Sequence, residues 1–317
     1  MKRWLTGAAL ALAACFAFAQ YPDRAIRIVV PLPPGGSPDT IARTLATHLQ
    51  STWGQPIVVE NRTGGSQNIG ADTVAKSAPD GYTWLLAPDN VFVINPYIAK
   101  ATSFDPMTDL APVTEVARIH FLLAVPSSSP ASSVQELIAY AKAHPGKLNY
   151  PSSGVGTVHH LSGELLNAMA GIEMVHVPFR GGASPLTEVL GGRVDLLLET
   201  MTLSLPQIQA GKLRALGVTS PERWKALPEV PTVAETVPGY EVNSFIGLGT
   251  VGSTPQPIVE RLNAEVRRAL ADPATHQRFV ELGGAPAAST TGEMRAFVEH
   301  EIAKWRRVIR LRKIEQQ

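Results

Sequence analysis

Val29-Val30-Pro31-Leu32-Pro33-Pro34-Gly35-Gly36-Ser37-Pro38-Asp39 joins an apolar run to a helix start through a stiff loop that carries few side chains. Residues 26–30 are rich in β-branched side chains, the prolines fix φ, and Gly35-Gly36 let the main chain approach a ligand. Ser37 reads as an N-cap, Pro38 as the first helical residue, and Asp39 falls in the first turn. Unpaired amides and the positive end of a helix dipole meet there, which suits a carboxylate or a phosphate.

Outward from this junction, strand and helix patterns alternate almost throughout, which predicts an α/β protein with largely parallel sheets. Residues 38–52 place Ile41, Leu45 and Leu49 on one helical face. Residues 57–60 and 82–87 read as strands, with a helix at 69–78 and a Pro79-Asp80-Gly81 turn between them. Further strands are expected at 121–126, 148–150, 173–177, 194–198, 213–218 and 245–251. Helices are expected at 158–170, 185–190, 205–210, 257–270, 273–282 and 293–312. Ser133 and Glu136 form a capping-box pattern. Ser127 to Pro130 has the composition of a linker where the chain passes between domains.

The chain has 317 residues with 28 Lys and Arg, 27 Asp and Glu, and one cysteine. Met1-Lys2-Arg3, an Ala- and Leu-rich run and Ala17-Phe18-Ala19 make residues 1–19 a cleavable secretory signal peptide. Leu12-Ala13-Ala14-Cys15 also has the form of a lipobox, but the greasy Phe16-Ala17-Phe18 that follows favours plain cleavage. Cleavage removes Lys2 and Arg3, so 26 cations face 27 acids in the mature chain. That balance argues against nucleic acid as a partner. Cys15 leaves with the leader, which excludes disulfides and thiol catalysis.

Two more segments repeat the strand–glycine–helix design. Residues 60–70 carry Gly64-Gly65-Ser66-Gln67-Asn68, and residues 150–157 carry Ser152-Ser153-Gly154-Val155-Gly156-Thr157. Glycines and hydroxyls at a helix start can bind a carboxylate without a cationic side chain. Neither segment is a dinucleotide fingerprint, a P-loop or a nucleophile elbow. His159 and His160 are adjacent, so they point to different helix faces, and no metal-ligand spacing joins them. No metal or cofactor is expected.

Together these segments resemble the Bug family, the TctC-like extracytoplasmic receptors that serve or derive from tripartite tricarboxylate transporters. The landmarks are Tyr21-Pro22, Val30 to Gly36 with Asp39 and Ala42-Arg43, Gly54-Gln55-Pro56, Val59-Glu60-Asn61-Arg62, and Pro79 to Thr83. Ser153-Gly154-x-Gly156-Thr157, His160-Leu161, Val177 to Gly181, Ala210 to Leu216, Pro231-Thr232, Pro238-Gly239-Tyr240 and Lys304-Trp305 continue them.

The resemblance implies a two-lobed type II periplasmic binding protein: α/β, mainly parallel sheets flanked by helices, and a ligand cleft between the lobes. Residues 20–121 and 222–317 would form one lobe and 122–221 the other. It implies a monomeric periplasmic receptor that catalyses nothing, takes a small carboxylate and serves membrane subunits of a tripartite tricarboxylate-type transporter. The ligand site it implies comprises Pro34, Gly35, Gly36, Ser37, Asp39, Ala87, Asp89, Asn90, Ser153, Gly156, Thr157, Asp195 and Thr200. Gln67 and Asn68 join that set where the chain departs from a family pattern richer in glycine. Asp89, if it faces the cleft, disfavours a second carboxylate. A receptor for a signalling partner, and a periplasmic hydrolase or isomerase using Ser153, His160 and Asp195, are the alternatives.

Overall fold

The computed structural model describes residues 21–99, 103–179, 184–225, 227–281 and 285–314; the leader read at 1–19, with Cys15, lies outside them, as does Arg180. The first half of the chain gives β1 (Ile26–Val30), α1 (Ser37–Trp53), β2 (Ile57–Asn61), α2 (Asn68–Ala75), β3 (Thr83–Pro88), α3 (Asp89–Val93), α4 (Asn95–Ile98) and β4 (Leu110–Pro126). Then come α5 (Val134–Ala143), β5 (Asn149–Ser152), α6 (Val158–Ala170), β6 (Val175–Pro178), α7 (Ser184–Leu190), β7 (Leu197–Thr200), α8 (Met201–Gln209) and β8 (Leu213–Val218). The chain closes with β9 (Asn243–Val251), α9 (Gln256–Ala271), α10 (Pro273–Glu281), β10 (Ala285–Pro286) and α11 (Thr291–Leu311).

Strand period explains how the first sheet is covered. Ile26, Ile28, Val30, Trp84 and Leu86 point into one core with Ile41, Leu45 and Leu49 of α1 and Leu262 and Val266 of α9. The intervening Val29, Leu85 and Ala87 point into the opposite core with Phe92, Val298 and Trp305. Both faces are therefore buried by helices, as parallel neighbours joined through crossover helices require. The strand order is β2-β1-β3-β9-β4-β10.

The β1–β2, β1–β3 and β5–β6 pairs are parallel, in line with the alternating pattern of the sequence. The strands that connect the two halves run antiparallel to their neighbours. From Leu110 to His120, β4 pairs with β9; from Phe121 onward it pairs with β7 and β8. One 17-residue strand thus belongs to both halves, and the strand expected at 121–126 is only its second part. The first part shifts register after Pro112 and again after Glu115, and such bulges erase the period-2 pattern.

The chain passes from one half to the other along β4 itself, and Ser127–Pro130, whose composition suggested a crossing nearby, follows directly after it. There the Ser127 amide donates to the Lys212 carbonyl, and Arg214 donates to the carbonyls of Ser127, Ser129 and Ala131. Those bonds close a turn at the far end of the second half. Along the back, α11 packs Val298, Ile302 and Trp305 into a core that continues through Leu123 to Leu161 and Leu198. Just beyond α11, Arg312 reaches Glu164 on α6 at 2.5 Å and Glu173 at 2.9 Å. Among the described residues, no helix is long and apolar enough to cross a membrane.

Candidate functional site

The β1–α1 loop is exposed from Pro33 to Ser37, and Gly35 adopts φ +89°. The helix starts one residue earlier than expected: Gly36 is the N-cap and Ser37 the first helical residue. Ser37 and Asp39 retain N–H groups with no partner within the helix, while Pro38 has none to offer. Asp39, by contrast, is buried and fully engaged. Its Oδ2 accepts from Gly35 N at 2.9 Å and Arg43 Nε at 3.0 Å, and its Oδ1 from Arg43 Nη2 and Asn61 Nδ2, each at 3.0 Å.

Four donors saturate a carboxylate, so Asp39 has no site left for a ligand. Burial opposes its charge, but the bonds from Arg43, Gly35 and Asn61 prevail and hold its pKa below the ordinary range. Asp39 is thus a buckle that shapes the loop, which corrects its placement among ligand contacts. The landmarks Arg43 and Asn61 find their physical role in the same contact.

The β2–α2 loop lies alongside. A Cβ on Gly70 would come within 2.8 Å of both the Arg62 carbonyl oxygen and Pro31 Cβ, so only glycine lets α2 approach the first loop this closely. Four successive residues have positive φ: Gly64 (114°), Gly65 (55°), Ser66 (52°) and Gln67 (78°). The last two hold left-handed geometry without glycine's freedom, a local strain that neighbouring bonds maintain. Asn95 on α4 supplies them, donating to the Ser66 carbonyl at 2.6 Å and to Asn68 Oδ1 at 3.0 Å. Asn90 donates in turn to Asn95 Oδ1 at 3.4 Å. Gln67 Oε1 is buried with no hydrogen-bond partner among the described residues.

Ala87 ends the buried part of β3, and Asp89 opens α3 with only 4% of its surface exposed. Burial pushes the Asp89 carboxyl up to about 7, against hydrogen bonds from Ser244 and the Asn90 amide. The nearby Glu301 also raises it, and His159 opposes that rise. Near neutrality Asp89 therefore carries a proton much of the time. A protonated Asp89 repels a second carboxylate less than an ionised one would.

The second half supplies the loop between β5 and α6. Thr157 caps α6, accepting from His160 N at 3.5 Å and donating to the Gly154 carbonyl at 2.7 Å. Ser153 is half-buried beside it, and Gly156 (φ +80°) sits against α4: a Cβ there would lie 2.8 Å from Ile98 Cδ1. The walls from the two halves meet at that contact. Gly156 N is already committed to His160 Nδ1 at 3.0 Å.

Thr200 ends β7 opposite Phe121 of β4, and its amide donates to Glu199 Oε1, which also lies 3.0 Å from His159 Nε2. Asp195 does not join the site. It accepts from Asn149 N at 2.8 Å, at the start of β5, whereas Ser153 follows the other end of that strand. The trio Ser153, His160 and Asp195 is consequently not assembled. Asp195 leaves the ligand set for the same reason.

The family model of the tripartite tricarboxylate transporter family receptor, TctC, matches residues 41–314. A UPF0065 protein from the tcbD-tcbE intergenic region of Pseudomonas sp. strain P51 is 37% identical over 97% of this chain and 93% of its own length. This chain belongs to that receptor family. Among solved structures, "R. palustris Rpa4515 with adipate" is 38% identical with a TM-score of 0.79, covering 93% of this chain and 99% of that one. MatC (Rpa3494) from Rhodopseudomonas palustris with bound malate is 31% identical with a TM-score of 0.75, covering 91% and 100%.

The receptor accordingly has the two-lobed α/β fold of periplasmic binding proteins, with β4 shared between the lobes. Sequence reasoning missed Asn95, Ile98 and the His159–Glu199 pair. Asn95 sits before Pro96 in a short helix that no apolar period marks, and Glu199 falls just past the apolar run at 196–198 where the strand is expected to end.

Proposed function

We propose that this receptor captures a small organic carboxylate between its two lobes and presents it to membrane subunits of a tripartite tricarboxylate-type transporter. The observation that carries the proposal is the convergence of three glycine-bearing loops, after β1, β2 and β5, with Gly156 of one lobe seated on Ile98 of the other. Such loops offer backbone amides to an anion, and closing two lobes over it removes water from those bonds. The adipate and malate held by the two similar structures support a carboxylate. The lobes would comprise residues 20–121 with 222–317, and 122–221.

Pro34, Gly35, Gly36 and Ser37 form one wall of the proposed site, and Ser153, Gly156 and Thr157 form the other. Gln67, Asn68, Ala87, Asp89, Asn90 and Thr200 border it. The unpaired Gln67 Oε1 and the half-protonated Asp89 suit a ligand that carries a hydroxyl or a protonated second acid group besides its carboxylate. After removal of residues 1–19 the chain would act in the periplasm, as a monomer and without catalysis.

A thermal-shift panel of mono-, di- and tricarboxylates, aromatic acids and amino acids tests this. A ligand at 100 times its Kd stabilises the folded state by about 2.7 kcal/mol. At least one carboxylate should raise the melting temperature, and each should be recovered unchanged. Absence of any shift, or turnover of the ligand, would overturn the proposal.

A further inference from the structure

Behind the Ser153–Thr157 wall lies a pair of histidines that the ligand site does not itself use. His160 and His176 stack with ring centroids 3.8 Å apart and planes 21° from parallel. An amide can only donate, so the Gly156 N–H fixes His160 Nδ1 as a bare acceptor and puts the ring proton on Nε2. His176 Nε2 lies 2.5 Å from Ser152 Oγ, which in turn accepts from Gly154 N at 3.1 Å and faces the Gly154 carbonyl at 3.0 Å. Both glycine amides of the loop are therefore anchored through this pair, one directly and one through Ser152.

We propose that His160 and His176 are positioning residues that hold the 152–157 loop in its ligand-ready shape, with His160 Nδ1 as an acid-sensitive latch on Gly156. Protonation at Nδ1 would set two donors against each other and release the amide. Burial pushes both imidazoles down to about 4, so the latch is engaged at neutral pH and opens only in acid. Among the described residues, the groups facing the pair are few. Tyr150 donates its hydroxyl to Glu164 at 2.7 Å while its oxygen lies 3.1 Å from the His160 carbonyl, and Glu164 is held by Arg312. Glu164 favours a proton on His176, and His160 disfavours it. The chain of contacts thus links the C-terminal Arg312 to a loop of the proposed site.

This inference rests on the carboxylate reading for its binding readout and stands apart from it for its spectroscopic one. In ligand-free protein, imidazole nitrogen NMR should show His160 as the Nε2–H tautomer at about pH 7, titrating well below the ordinary value of about 6.5. His160→Asn keeps an acceptor oxygen where Nδ1 stood; His160→Phe keeps the stack and strands the amide. With adipate as the probe, His160→Asn should stay within about threefold of wild-type Kd near neutrality, and His160→Phe should weaken by about tenfold or more. Between about pH 6 and pH 4, wild type should lose affinity relative to His160→Asn, a ratio in which the ligand's own protonation cancels.

An Nδ1–H tautomer, a His160→Phe Kd equal to wild type, or an unchanged ratio in acid would each overturn the latch. If adipate binds neither form, adipate is not the ligand and the tautomer measurement alone decides the latch.

Discussion

Replacing Asp39 with asparagine tests whether the β1–α1 loop is shaped by a saturated carboxylate. In the wild type four donors converge on two oxygens in a buried position. The amide keeps one oxygen and turns an –NH2 toward two of those donors, so at least two charge-assisted bonds are lost. Such bonds contribute about 1.5–3 kcal/mol each, and relaxation of the exposed Arg43 recovers part, which leaves a cost of about 3 kcal/mol. At about 2.1 cal/mol/K per residue, unfolding some 300 residues carries about 0.6 kcal/mol/K, so the melting temperature should fall by about 5 °C.

The pH dependence carries a second signature. The Asp39 pKa is lowered in the folded state, so its stabilisation is present above the unfolded value of about 4 and is lost as pH falls through the folded value. The gap between wild type and D39N in calorimetric melts should therefore close in acid. Because the loop collapses with its buckle, affinity for a responsive carboxylate should drop by about tenfold or more. A D39N protein melting within about 1 °C of wild type near neutrality, with unchanged affinity, would refute the buckle.

Gly70→Ala should destabilise by about 1–3 kcal/mol, since its methyl group meets the Arg62 carbonyl and Pro31; chemical denaturation reads the loss, and a neutral result would mean that α2 can slide. Gly156→Ala should weaken ligand binding through strain at φ +80° and collision with Ile98, and Ile98→Ala added to it should recover part of the affinity; titration calorimetry of the single and double variants decides. Asp89→Asn should melt above wild type at about pH 8, because an acid whose pKa is raised to about 7 stabilises the fold below its unfolded value and loses that contribution as pH rises through 7. That advantage should vanish below about pH 4, and a pH-independent difference would speak against a buried, protonated Asp89.

Much of the architecture was legible because it rests on periodicity. The helix over Val158–Ala170 was read to the residue, and α9, α10 and α11 to within a residue or two, since each repeats an apolar stripe. The first part of β4 was not legible: two bulges and the five polar or proline positions at 112, 114, 115, 118 and 120 erase its alternation. The three glycine loops of the proposed site were visible as composition, because close backbone approach and positive φ demand glycine locally. The role of Asp39 was not visible, because it depends on Arg43 and Asn61 arriving from a helix and a neighbouring strand.

By itself the sequence determined which segments are strands and helices, where the backbone is bare enough to meet an anion, and the family to which those landmarks belong. These are properties of short windows, set by side-chain period, turn chemistry and steric freedom. Only the tertiary structure decided which polar atoms remain open to a ligand. It spent the Asp39 carboxylate on a loop, tied the Gly156 amide to His160, sent Asp195 to the far end of β5 and left Gln67 Oε1 without a partner among the described residues. A hydrogen bond has two ends, and the second end lies on another element whose position no local pattern records.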